Sequence, residues 1–387
     1  VTTLDDSTTA PPIGRTLARL TGAKTIGNTA LRWIPLFLPT LESAFGATTA
    51  QLTTVLGAGE VGGLSTLAVG GPLDRRRERL VMVTGLSLVA ASSVIALWGT
   101  LTAFAVAFLV LVVGISNFTV AGQTWISHRV GYGRRARSLG LFETSWALAL
   151  LIGAPIVAVL INVFGWRGPF VALAVAMTAG AILVAITLPK HEPVVATVAA
   201  STPRVRITPV AWLVMFGSAL TAMAGLSVFV ISGSWLDEAF GVSTGGIGGV
   251  AAAFGAAELV SSLTSAALAD RLGKMRSTLA GLGALAAGLG VMVLADDRLW
   301  LGVVGLLVFL LGFEFAFVTS LSLVSEAMPD ARGNTLAVSN AVATFARAGG
   351  AILSGWLFDT YGINGTAALS TIAATTAVVC LVLSRRL

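Results

Sequence analysis

Residues Gly70 to Arg79 read GGPLDRRRER, and Ala266 to Arg276 read AALADRLGKMR. An Asp-Arg pair followed by a basic cluster therefore occurs twice, with Asp74 and Asp270 196 positions apart, close to half of the 387 residues. Each copy follows a long apolar segment that carries one glutamate, Glu60 in the first and Glu258 in the second. The repeat is thus a duplicated unit of chain and not a local motif.

Composition says what kind of unit was duplicated. Hydrophobic residues make up 56% of the chain and charged residues only 11%, where soluble domains carry about a quarter charged. Mean hydropathy is +0.90. These values describe an integral membrane protein, and the 44 glycines suit helices that pack closely in lipid. The single cysteine, Cys380, lies in the last apolar segment and excludes an internal disulfide. The first fifteen residues, VTTLDDSTTAPPIGR, hold no apolar signal-peptide core, so the chain is expected to keep its N-terminus.

A bilayer core of about 30 Å needs about 20 apolar residues per helix. The chain supplies twelve such stretches, near 21–41, 51–71, 80–100, 104–126, 139–163, 169–188, 210–236, 245–269, 277–294, 301–323, 335–358 and 366–383, taken as spans 1 to 12. With both termini in the cytoplasm, twenty of the 24 basic residues fall on that side; only Arg167 and Arg298 lie on the other, and Arg32 and Arg347 lie within spans. Positive charge stays cytoplasmic during insertion, so this split sets the orientation and agrees with an even number of spans. Topology thereby accounts for a pI near 10.4, and nucleic acid is not an expected partner. The chain divides into an N-terminal tail (1–20), a first six-helix bundle (21–188), a proline-rich basic linker (189–209) and a second bundle (210–387). Gly153-Ala154-Pro155 in span 5 and Gly349-Gly350-Ala351 in span 11 repeat the 196-residue offset.

On these residues the chain resembles the major facilitator superfamily, along nearly all of its length. The family's loop pattern is approximately G-x-x-x-D-R-x-G-R-[RK] between spans 2 and 3, with a degenerate copy between spans 8 and 9. The first loop keeps Gly70, Asp74, Arg75 and Arg79, with Arg77 where glycine is expected; the second keeps Asp270, Arg271, Gly273 and Lys274. The resemblance implies an all-α membrane protein, twelve transmembrane helices in two pseudo-symmetric six-helix bundles, acting as a secondary transporter, and it points toward the drug/proton antiporter branch. Two features depart from that branch. No basic residue lies between Arg79 and Arg129, where its members carry an arginine in span 4, and of its glycine-rich span 5 pattern only Pro155 and a displaced Gly153 remain. Independently of any family, Asp74 and Asp270 stand at helix ends. Each can offer its carboxylate to a helix N-terminus or an arginine when the halves close on that side, which would make Gly70, Asp74, Arg75, Arg79, Asp270 and Arg271 a conformational latch.

Charges inside the spans are the strongest site candidates, because an ionisable group at a helix centre costs at least about 2.5 kcal/mol on insertion scales and so faces water or a partner. Arg32, Glu60, Glu258, Glu314 and Arg347 lie near span centres, and Glu143 in the inner third of span 5. Lys24, Asn28 and Arg32 form one polar stripe, Asn340, Thr344 and Arg347 another, and Ser116, Thr119 and Gln123 a third beside Asn117. In a two-fold bundle these stripes converge on a central path, so Asn28, Arg32, Asn117, Gln123, Asn340, Thr344 and Arg347 are expected to touch cargo. Three midplane glutamates against two arginines leave one carboxylate over. An unpaired, desolvated carboxylate can carry a proton, a role open to Glu60, Glu143, Glu258 and Glu314, with Glu314, set between Phe313 and Phe315, the first choice. Arg32 and Arg347 also permit a clamp on a small organic anion, and a non-transporting receptor or scaffold is a third reading.

Other chemistry is thin. His128 and His191 sit in different loops, no P-loop pattern occurs, and no convergent catalytic set lies within the spans. No enzyme activity, metal or cofactor is expected. The expected partners are a small-molecule substrate, protons and the lipid bilayer, with the chain a monomer in the cell membrane; efflux is the favoured direction.

Overall fold

The computed structural model describes residues 13–188, 207–328 and 332–386. The N-terminal tail and most of the 189–209 linker, His191 included, lie outside the described residues, as does the side chain of Asp270. Among the described residues every regular element is a helix. Span 1 is Ile13–Leu36, span 2 begins as Thr49–Glu60, and spans 3 and 4 are Glu78–Ala96 and Leu101–Arg129. Span 5 runs as Tyr132–Glu143, Ser145–Leu148, Ala149–Gly153 and Ala154–Phe164, and span 6 is Arg167–Thr187. Pro209–Phe229, Thr244–Leu272, Lys274–Val293 and Leu299–Ala327 are spans 7 to 10. Spans 11 and 12 form the continuous stretch Arg332–Leu383, broken at Gly362, whose φ of 60° only glycine adopts readily.

Length and apolarity alone qualify eight described helices as membrane-crossing, one of them holding both spans 11 and 12. The remaining three, spans 1, 2 and 8, each carry midspan charge, as do spans 10 and 11, which qualify despite Glu314 and Arg347. Span 1 holds Lys24 and Arg32, and the α-helix of span 2 stops at Glu60, continuing as the 3₁₀ segment Val61–Leu67. Charge at that depth is stabilised by neighbouring protein or water rather than by lipid.

The duplication is visible in packing. In the first half Gly85 meets Gly114, so that a Cβ on Gly85 would stand 2.7 Å from the Gly114 carbonyl; in the second, Gly281 meets Gly312 at 2.8 Å by the same measure. Both crossings join consecutive spans, 3 with 4 and 9 with 10, and such close approach is what small residues allow in lipid. Trp98 and Trp300, 72% and 65% exposed, mark the end of span 3 and the start of span 10. They lie on the face opposite the chain ends, the distal face, where tryptophan anchors at the membrane boundary. Trp33, by contrast, is buried in the first half against Phe37 and Phe170.

The halves meet through spans 2 with 11 and 5 with 8. A Cβ on Gly57 would come within 2.6 Å of the Ala348 carbonyl, and one on Gly255 within 2.6 Å of the Ala147 carbonyl. Gly233 sits directly against the Leu36 carbonyl. On the distal face the seam is polar: Ser234 donates to Glu42 at 2.8 Å and the Ala50 amide to Asp359 at 3.1 Å. The distal face is closed.

Candidate functional site

Three departures from regular helix surround the middle of the bundle, and a fourth lies at its distal end. Pro35 interrupts span 1 three residues beyond Arg32. Span 2 changes to a 3₁₀ helix after Glu60, a site with two glycines, Gly62 and Gly63, that weaken an α-helix. Span 5 opens into a π-helical turn at Ala149–Gly153, just before Pro155, whose ring cannot fit beneath a regular carbonyl ladder. Gly362 turns the chain from span 11 to span 12. Irregular backbone at membrane depth is tolerated where protein or a cavity covers it, and π-bulges in particular gather at functional sites.

Two ion pairs join the halves at this level. Arg32 of span 1 grips Glu258 of span 8 through both guanidinium nitrogens, and Nη1 also donates to the Trp146 carbonyl at 3.0 Å. The rings of Trp146 and Phe229 each stand 5.3 Å from the guanidinium carbon. Arg347 of span 11 donates from Nε to Glu60 of span 2 at 3.0 Å and from Nη2 to Thr344 at 3.2 Å. Glu60 and Glu258 lie in corresponding spans of the two repeats, 198 positions apart, and each takes its arginine from the opposite half. The pairs differ in wetness: the side chains of Arg32 and Glu258 are 9% and 4% exposed, those of Arg347 and Glu60 26% and 19%.

Glu314 lies within electrostatic range of both Arg32 and Glu258. Among the described residues it makes no ion pair within 4.0 Å. One cation therefore serves two carboxylates, and a single proton would bring the group to neutrality.

A third cluster belongs to the first half alone. Lys24 is fully buried, donates to Glu143 at 2.6 Å and lies 4.3 Å above the Phe142 ring. Gln123 of span 4 donates to the other Glu143 oxygen at 2.9 Å. Asn28, one turn further, donates to Ser145 at 3.1 Å, while its Oδ1 is buried without a partner. Such an orphan acceptor is costly, on the order of 1–3 kcal/mol, unless a ligand or water supplies the donor.

Of the expected cargo residues, Arg32 belongs to the first pair, Thr344 and Arg347 share the second, and Asn28 and Gln123 belong to the third cluster. Asn117 lies apart with Ser65 at 3.4 Å, and Asn340 is exposed. In the first loop Asp74 ends the short helix Gly70–Asp74 and is exposed, as is Arg75, while Arg79 is half-buried; in the second loop Arg271 is exposed. Sequence reasoning missed Ser145, the Trp146 carbonyl and the Phe229 ring, for which composition gives no sign. It also missed the distal group of Glu42, Ser234 and Asp359, which reads in sequence as ordinary span ends.

Comparisons with known proteins agree with this architecture. The model of the Major Facilitator Superfamily matches residues 25–351 and again 214–387. The MFS-type transporter YwfA of Bacillus subtilis is 25% identical over 392 residues, covering 96% of this chain and 92% of that protein. YceJ of the same organism is 23% identical, with 83% and 84% covered. Among solved structures, a bacterial homologue of the human lysosomal transporter Spinster, in an inward-facing and occupied conformation, superposes with a TM-score of 0.74 at 14% identity, covering 98% of each chain. A D-xylose–proton symporter gives 0.76 at 15% identity, covering 94% of this chain and 97% of the other. Duplicated halves, twelve spans and family matches that run across both halves lead to one conclusion: the chain belongs to the major facilitator superfamily of membrane transporters.

Proposed function

We propose that the protein is a proton-coupled secondary transporter of the cytoplasmic membrane, with both chain ends in the cytoplasm, that exports a small amphipathic molecule as a monomer. Cargo is exposed alternately to the two sides as the halves rock about the midplane charges. The closed distal seam corresponds to the inward-facing shape, and the loop carboxylate of Asp74 stays exposed until the cytoplasmic side closes and the latch engages.

The observation that carries proton coupling is Glu314 standing, among the described residues, without an ion pair beside the cross-half Arg32–Glu258 pair. A proton taken up there removes the excess negative charge and frees Glu258 to hold Arg32 without a competitor; its release restores the competition and loosens the seam. The charge count of the three clusters favours a cationic or neutral cargo. Glu60, Glu143, Glu258 and Glu314 face Lys24, Arg32 and Arg347, so one carboxylate is left for cargo or proton. The free Asn28 Oδ1 supports a cargo that brings a hydrogen-bond donor, such as an amine or hydroxyl.

Proteoliposomes with an imposed pH gradient test the reading across a panel of amphipathic amines and small carboxylates. Glu314→Gln should retain exchange of labelled cargo without a gradient while losing gradient-driven accumulation. A variant that keeps full pH-driven flux, together with loss of carboxylate binding in Arg347→Ala, would replace this mechanism with anion transport.

A further inference from the structure

A recess of about 500 Å³ lies at the terminal face of the second half, away from the midplane clusters. Span 8 ends there, span 9 begins, span 10 ends, and the chain leaves span 12. Among the described residues its charge is strongly one-sided: Lys274, Arg276 and Arg385 line it with a single acid, Glu326. Lys274 is bonded to Glu326, which neutralises that pair. Arg276 and Arg385 are exposed and, among the described residues, without an ion pair, so two positive charges remain to face the space. The first turn of span 9 adds to them. Gly273 precedes it with φ of 84° and no side chain caps the helix, leaving the amides of Lys274, Met275 and Arg276 directed out of the helix start at the recess wall.

The remaining walls are apolar, Leu272, Met275 and Leu323, and Leu272 is 49% exposed. A site for a soluble anion has no need of such a floor. Two free guanidiniums above exposed leucine, at the depth where helices leave the membrane, match the boundary between headgroup and acyl chain. Arginine pairs with phosphate through two parallel hydrogen bonds. We infer that the recess between the span 8–9 turn, span 10 and the end of span 12 seats the anionic phosphodiester headgroup of an acidic phospholipid of the adjoining leaflet. A headgroup there bridges Arg276 to Arg385 and so ties the turn between spans 8 and 9 to the end of span 12.

The test uses the purified full chain in detergent, with phosphatidylglycerol, phosphatidylcholine and inorganic phosphate as probes, read by native mass spectrometry and by melting temperature. Phosphatidylglycerol should be retained at least fivefold over phosphatidylcholine and raise the melting temperature. Arg276→Gln with Arg385→Gln should abolish both effects, as should Met275→Glu, which places an acid on the recess wall. Arg134→Gln with Arg137→Gln, exposed arginines on the same face of the other half, should leave them intact. Equal retention of the two lipids, or undiminished retention in the double variant, overturns the inference. So does a rise in melting temperature with millimolar inorganic phosphate that matches the lipid's, because the recess would then take free phosphate.

Discussion

At the scale of single residues, one guanidinium carries more than its share. Arg32 holds Glu258 with both nitrogens, satisfies the Trp146 carbonyl and is the positive charge nearest Glu314. Breaking a buried pair by deleting one partner strands the other charge, which costs about 3–5 kcal/mol. Arg32→Met should therefore lower the melting temperature in detergent sharply, and Glu258→Gln introduced with it should recover much of the loss. Glu314→Gln removes a carboxylate that no described residue pairs, so its melting temperature should stay within a few degrees of the parent's while its pH-driven transport disappears. A Glu314→Gln protein as unstable as Arg32→Met would show that Glu314 has a structural partner.

At the scale of elements, the short helix Leu38–Phe45 on the distal face carries Glu42, which accepts hydrogen bonds from Thr49 at 2.7 Å and from Ser234 across the seam. Burial pushes the Glu42 carboxyl above its ordinary value of 4.5, and Asp359 and Asp237 push the same way against the two hydroxyl donors. Glu238 is the further charge in range. A carboxyl whose value is raised in the closed seam binds its proton more tightly there than when the seam opens to water. The closed face is accordingly favoured at low pH and loses that support as pH rises from 4.5 through the raised value, by at most about tenfold in population per pH unit. Labelling of a cysteine at Thr53, buried against Gly355 across the seam, in a Cys380→Ser background and relative to a freely exposed thiol, should become faster over that interval, and Glu42→Gln should remove the dependence. The elements also show what was legible beforehand. The twelve spans, and the single glutamate in each of spans 2 and 8, followed from apolar length and from the duplicated loops. The 3₁₀ turn after Glu60 and the π turn before Pro155 did not. Gly62, Gly63 and Pro155 mark weak points in a helix, but the direction in which it yields depends on what packs against it, here span 4 and the Gly255 surface of span 8. The pairing of each glutamate with an arginine of the opposite half was likewise hidden, because a sequence lists charges without saying which face of which bundle they reach.

At the scale of the whole molecule, transport requires that the distal seam open, and its glycines set how tightly it shuts. The Asn162 side-chain nitrogen, Nδ2, at the distal end of span 5 lies 3.9 Å from the position a Cβ would take on Gly245 at the start of span 8, which brings the two positions within reach of each other. Cysteines at these two positions in a Cys380→Ser background should form a disulfide under mild oxidation, locking the halves together on that face. Cargo flux should stop on oxidation and return on reduction, whereas binding from the cytoplasmic side should persist throughout. Gly57 lies across the other seam, against the Ala348 carbonyl, so Gly57→Val acts as a wedge between spans 2 and 11. Because the halves rock as rigid bodies, that wedge should also part spans 5 and 8 and reduce the yield of the distant disulfide severalfold. An unchanged yield in Gly57→Val would mean that the two seams move independently, and a single rocking motion about Arg32 and Arg347 would no longer describe the protein.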